Sequence, residues 1–207
     1  MIRLALVTLC VCITAGVAAA APPQLLHPEK LTAKAPATYR VTFKTTKGTF
    51  VVTVHRAWSP RGADRFYNLA RAHFFDDVRF FRVVKDFVVQ FGISGDPKVA
   101  AAWQQATIPD DPVKVSNTPG TITYADAGPG TRTTQVFVNY GSNTNLDGLG
   151  FSPFGRVTSG LGVLNKLYGG YGERPSQAQQ QIQTQGNAFL GKQFPKLDHI
   201  VTARISG

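Results

Sequence analysis

The run Tyr39-Arg-Val-Thr-Phe-Lys-Thr alternates apolar and polar residues, and Gly48-Thr-Phe-Val-Val-Thr-Val-His does the same. A period of two places every second side chain on one face of a strand. With Thr46-Lys47-Gly48 leading from one to the other, the two runs predict a β-hairpin. The period then changes. Ser59-Pro60 offers an N-cap followed by proline at the first helical position, and Ala63, Phe66, Leu69, Ala70 and His73 recur at helical spacing, predicting an amphipathic helix over 60–72. Two Val- and Phe-rich runs, Val78 to Val84 and Phe87 to Ile93, flank Lys85-Asp86 and read as neighbouring strands. The stretch from Ser94 to Pro119 is rich in Gly, Pro and Asp and reads as one long irregular loop, a kind of segment that is more often functional than idle. Further strands are expected at 120–125, 135–139, 151–157 and 197–205, with a short helix at 160–168 and a Gln-rich helix at 176–192. Many short strands with few helices predict a mainly β fold, a sandwich or a closed barrel with helices covering its ends.

The first residues follow a different pattern. Arg3 supplies a positive start, Leu4 to Val17 is almost wholly apolar, Ala18 to Ala21 are small, and Pro22-Pro23 ends any helix. That order is the signature of a secretory signal peptide, expected over 1–21. A retained membrane anchor is the competing reading, but the apolar run falls short of the ~20 residues that span a bilayer. The chain is therefore expected to be exported, periplasmic or secreted, with no stable membrane span after cleavage. Residues 22–38, with Pro22, Pro23, Pro28 and Pro36, read as a linker, leaving 39–207 as one domain. Cys10 and Cys12 are the two cysteines of the chain and both lie in the leader, so the mature domain must rely on its core rather than on disulfides.

A hydrophobic content of 43% with 16% charged residues fits a globular domain, and 207 residues suffice for a substantial core. The net charge of +10 permits contact with anionic polymers. The lysines and arginines are nevertheless dispersed from Lys30 to Arg204, and no nucleic-acid motif accompanies them, so no nucleic-acid partner is expected. His27, His55, His73 and His199 are scattered outside any metal-ligand spacing. There is no thiol nucleophile after the leader, no G-x-S-x-G elbow and no phosphate-binding glycine loop, since Gly128-Pro129-Gly130 reads as a flexible loop. The sequence therefore calls for no cofactor and no metal.

What remains is a set of aromatic and polar strand positions. Arg82 sits in Phe80-Phe81-Arg82-Val83-Val84, and Val88 and Gln90 share one face of the next run. Tyr124-Ala125-Asp126-Ala127-Gly128 precedes Thr134-Gln135-Val136-Phe137-Val138, and Leu146-Asp147-Gly148 precedes Phe154-Gly155-Arg156-Val157. In order and spacing these three motifs resemble those of the cyclophilins: F-H-R-I-I-P-x-F-x-x-Q, M-A-x-A-G with S-Q-F-F-I, and L-D-G with F-G-x-V. The resemblance covers residues 39–168, with the final strand fitting as well.

The resemblance implies a closed antiparallel eight-stranded cyclophilin-like barrel capped by helices. It also implies peptidyl-prolyl cis/trans isomerase activity, with Arg82 as catalytic arginine and Gln90 as its polar partner. Phe87, Val88 and Phe137 would form the proline pocket. Ala125, Asp126 and Gln135 would line the peptide groove, with Leu146 and Phe151 also binding substrate. The partners would be proline-containing segments of unfolded or exported proteins, bound by a monomer. The chain departs from the best-known members at several positions. Phe81 stands for the His before the arginine, Val88 for the pocket Met, Asp126 for the groove Asn, and Asn145 for the Trp of drug-sensitive proteins. No pocket His occurs in 149–153. Loss of the Trp implies weak cyclosporin binding. The same groove could also hold Pro-containing peptides as a chaperone or scaffold with little turnover, and the basic surface could meet anionic envelope polymers. The Gln-rich segment 176–192 is open to two readings, a capping helix packed through Ile182, Phe189 and Leu190 or a surface for a partner.

Overall fold

The computed structural model describes residues 22–206; the predicted leader, with both cysteines, lies outside the described residues. Eight strands form one antiparallel sheet: β1 (Thr38–Thr45), β2 (Gly48–His55), β3 (Arg82–Val84), β4 (Val88–Phe91), β5 (Thr121–Tyr124), β6 (Val136–Asn139), β7 (Pro153–Ser159) and β8 (Ile200–Ser206). Their spatial order is β3-β4-β6-β5-β7-β2-β1-β8. The hairpin of β1 and β2 pairs from Thr38 with His55 to Thr45 with Gly48, as the alternation predicts. Its inward positions Val41, Phe43, Phe50, Val52 and Val54 are fully buried, and the Phe43 and Phe50 rings stack at 4.7 Å.

The sheet is a curled half-barrel, not the closed barrel expected. Its terminal strands β3 and β8 do not pair with one another. The segment before β3 meets the start of β8 instead: Arg79 bridges His199, the Phe80 N–H donates to the Asp198 carbonyl, and Ile200 accepts from the Asp77 N–H and donates to the Val78 carbonyl. The run Val78 to Val84 is not one paired strand throughout, and Phe80 and Phe81 are buried in two different apolar clusters. Regular pairing begins at Arg82.

Helix α1 (Pro60–Arg71) lays Phe66 and Leu69, both fully buried, against the concave side. Burial of each contributes about 1.5–3 kcal/mol. Ser59 does not cap this helix with its side chain. Its hydroxyl donates instead to Asp111, whose carboxylate also accepts from the N–H groups of Arg61 and Gly62. The cap thus comes from a distant loop. That loop is less irregular than expected, because Asp96 caps a second helix, α2 (Pro97–Gln104), by accepting from the Lys98 N–H at 2.8 Å. Trp103 of α2 is buried and donates its indole N–H to the Leu25 carbonyl.

The stretch read as a linker is docked on the domain. Leu25 and Ala35 are buried, and Asn68 of α1 bonds both the N–H and the carbonyl of Ala33. The short helix expected at 160–168 is confined to α3 (Leu161–Leu164). The Gln-rich segment becomes α4 (Gln179–Gln193), broken at Gly186, where φ is +59°. Ile182 and Leu190 of α4 are buried in a second apolar cluster with Phe81, Ile93 and Phe194. No described helix is long and apolar enough to cross a membrane.

Candidate active site

Strand register builds the site. Arg82 of β3 lies opposite Gln90 of β4, and Gln90 lies opposite Phe137 of β6. The three therefore stand in one row across neighbouring strands spaced about 4.8 Å apart. Alternation in β4 sends Val89 and Phe91 into the core and leaves Val88 and Gln90 for the other face, where a cavity of about 290 Å³ opens.

Nine of the ten residues expected at the site line this cavity. Arg82, Gln90, Phe87, Val88 and Phe137 form one part of it, and Ala125, Asp126, Leu146 and Phe151 the other. The tenth, Gln135, is linked to it by its side chain and lines a smaller neighbouring depression. Three further residues line the cavity that sequence reasoning missed: Glu173, Ser176 and Gln179. They come from the C-terminal segment, and no motif in the sequence marks them.

The apolar side is aromatic. Phe137 meets Phe151 edge to face at 5.9 Å, and Val88 and Phe137 are almost fully buried. The Arg82 guanidinium lies over the Phe87 ring at 5.2 Å, close enough for attraction between the cation and the ring. The same guanidinium donates Nε–H to Glu173 Oε2 at 2.7 Å, Nη2–H to Glu173 Oε1 at 2.8 Å, and Nη1–H to Gln90 Oε1 at 3.1 Å. The bond from Arg82 holds the Glu173 carboxyl below its usual range against the opposing effect of burial, and Ser176 adds a further bond in the same direction.

Because arginine has donors and no acceptor, its bond to Gln90 fixes that amide's orientation. Gln90 Nε2–H then donates to Gln135 Oε1, and Gln135 Nε2–H donates to Gln179 Oε1, each at 2.9 Å. On the opposite rim, burial pushes the Asp126 carboxyl up, partly offset by the Gly128 N–H that it accepts.

The departures noted in the sequence have clear places here. Phe81 points away from the cavity into the apolar cluster that seats α4. Asn145 is exposed in the 3-10 turn Thr144–Leu149. Asp147 of Leu-Asp-Gly does not line the cavity. It accepts from the Asn117 N–H and side-chain amide and from the Ser116 hydroxyl, pinning the turn to a buried polar cluster. Among the described residues no group of three or more His, Cys, Asp or Glu is placed to hold a metal ion.

The family model for cyclophilin type peptidyl-prolyl cis-trans isomerase/CLD matches residues 40–186. Peptidyl-prolyl cis-trans isomerase CYP18-2 of Arabidopsis thaliana is 35% identical over 130 residues, covering 61% of this chain and 79% of that protein. Human peptidyl-prolyl cis-trans isomerase-like 1 is 30% identical over 130 residues, covering 61% and 78%. A crystal structure of a Cryptosporidium parvum cyclophilin type peptidyl-prolyl cis-trans isomerase superposes with a TM-score of 0.59 over 82% of this chain and 98% of that one, at 17% identity. Another of the same protein, solved in the presence of the dipeptide Ala-Pro, gives a TM-score of 0.52 at 22% identity over 61% and 82%. With the family model spanning most of the chain, and the curled sheet and its row of site residues in place, this chain belongs to the cyclophilin-type peptidyl-prolyl cis-trans isomerases.

Proposed function

We propose that the chain isomerises X–Pro bonds in exported proteins, with Arg82 stabilising the twisted amide. One observation carries the reading: the guanidinium of Arg82 is held at the edge of an apolar pocket made by Phe87, Val88 and Phe137. Rotation about the X–Pro bond breaks amide resonance against a barrier of ~18–20 kcal/mol. As the bond twists, the prolyl nitrogen becomes pyramidal and regains a lone pair. A guanidinium N–H can donate to that lone pair, an interaction the planar ground state barely offers, so the barrier falls selectively.

The pocket holds the proline ring while the preceding residue swings, and Gln90 keeps Arg82 in place. Ala125, Asp126 and Gln135 flank the path of the peptide. The Ala-Pro dipeptide named with the Cryptosporidium structure is the kind of ligand such a pocket would take. The export role rests on the charged, apolar and small-residue order of residues 1–21.

A protease-coupled peptide assay on wild type and Arg82→Ala tests this. Loss of about 100-fold in kcat/KM is expected, a size typical of removing one donor to a developing lone pair or charge. Equal rates for the two proteins would leave a peptide-binding module in place of an enzyme.

A further inference from the structure

The contact between Arg82 and Glu173 joins residues 91 positions apart, and it takes two of the guanidinium's donors at once. Glu173 is itself held. The Ser176 hydroxyl bonds its carbonyl at 2.7 Å and its Oε2 at 3.0 Å. Its segment is anchored on one side by the Tyr168 N–H donating to Asp198, and by Tyr171 packed on Phe194 at 5.2 Å. On the other side begins α4, whose Gln179 accepts the last bond of the amide relay. The polar strip therefore starts at Glu173, runs through Arg82, Gln90 and Gln135, and returns to the same segment at Gln179.

Count the donors that remain. Of the five N–H groups of a guanidinium, Glu173 takes Nε–H and one on Nη2, and Gln90 takes one on Nη1. One N–H stays on each terminal nitrogen. Glu173 and Gln90 thus grip the guanidinium without exhausting it, while the Phe87 face limits tilting of its plane. A flexible side chain is converted into a donor with one orientation, and preorganised donors need no reorganisation when the amide twists.

We propose that Glu173 is a positioning residue for isomerisation, fixing Arg82 in its productive orientation, with Gln179 anchoring the far end of the relay. This rests on the reading of Arg82 given above. Because Glu173 acts through Arg82 and not on the proline ring, its removal changes turnover more than peptide binding.

The test compares wild type, Glu173→Ala, Glu173→Gln and Arg82→Ala with a proline tetrapeptide, resolving kcat from KM. Arg174→Ala, an exposed neighbour in the same segment, serves as control. The Arg82 Nε–H signal is followed by NMR in parallel. Glu173→Ala is expected to lower kcat about fivefold with KM within about twofold, in proportion to a partly exposed ion pair. Arg174→Ala should match wild type, and Glu173→Gln, which keeps one acceptor, should fall between the two. The Arg82 Nε–H should exchange faster with solvent in Glu173→Ala. Unchanged or raised kcat in both Glu173 variants, with Arg82→Ala still impaired, overturns the positioning role alone. An Arg82→Ala protein as fast as wild type overturns the Arg82 reading and this proposal with it.

Discussion

Replacing Asp111 by Ala should destabilise the protein severely while leaving the chemistry of the groove intact. The Asp111 and Arg132 side chains are each only 3% exposed and meet at 3.1 Å. Removing one partner of a buried ion pair typically costs about 3–5 kcal/mol, because the other charge is left in the interior. Here the lower end applies, since Arg132 keeps the Pro109 carbonyl and an approach of 3.2 Å to Asp110. The variant also strips the first turn of α1 of its acceptor for Arg61 and Gly62, and a lost cap adds about 1 kcal/mol. Together these predict about 4 kcal/mol, or a Tm lowered by about 8–16 °C for a domain of this size. Calorimetry, with urea unfolding followed by circular dichroism, measures both quantities. A shift of less than about 2 °C would refute the view that the Asp111 carboxylate holds α1 and its loop together.

The remaining predictions concern pH, the pocket and the helix seat. Bonds from Ser59, Gly62, Arg61 and Arg132 outweigh burial and hold the Asp111 carboxyl below its ordinary 3.8, so its contribution is fully present above that pH and fades as pH falls through the lower folded value. In Asp111→Ala the acid limb of the stability curve should accordingly flatten, and an unchanged acid slope would count against the assignment. Phe137→Ala should cut kcat/KM about tenfold, whereas Val138→Ala, fully buried in the core and not lining the cavity, should lower stability with kcat/KM nearly unchanged. A Val138→Ala protein that stays folded yet loses as much kcat/KM as Phe137→Ala would contradict that geometry. At Gly186 the backbone is left-handed and a Cβ would strike the Gly95 carbonyl oxygen, so Gly186→Ala should cost at least about 2 kcal/mol and, by shifting Gln179, slow turnover. An unaltered melting curve would show that α4 tolerates the shift.

Much of this was readable in the order of residues, and the misses have physical causes. The hairpin of β1 and β2 was legible because its alternation is long and one face is wholly apolar. The row of Arg82, Gln90 and Phe137 was legible through motif resemblance, whereas their alignment across β3, β4 and β6 follows from register. Helix α2 was hidden in a Gly-, Pro- and Asp-rich stretch, although Asp96-Pro97 carries the cap and first-turn proline that mark a helix start. Ser59 looked like a cap because it precedes Pro60, and only the fold could bring Asp111 close enough to take that role.

Local pattern, then, determined the hairpin of β1 and β2, the first helix and the common face of Val88 and Gln90, since these depend on periodicities of two and 3.6 residues along the chain. Tertiary structure decided the rest. It left β3 and β8 unpaired, turned Phe81 into the seat of α4, and brought Glu173 and Gln179 to the two ends of the polar strip. Such contacts join residues far apart in sequence, and no periodicity of one segment records which distant carboxylate will meet its arginine. That choice is made by the packing of whole elements.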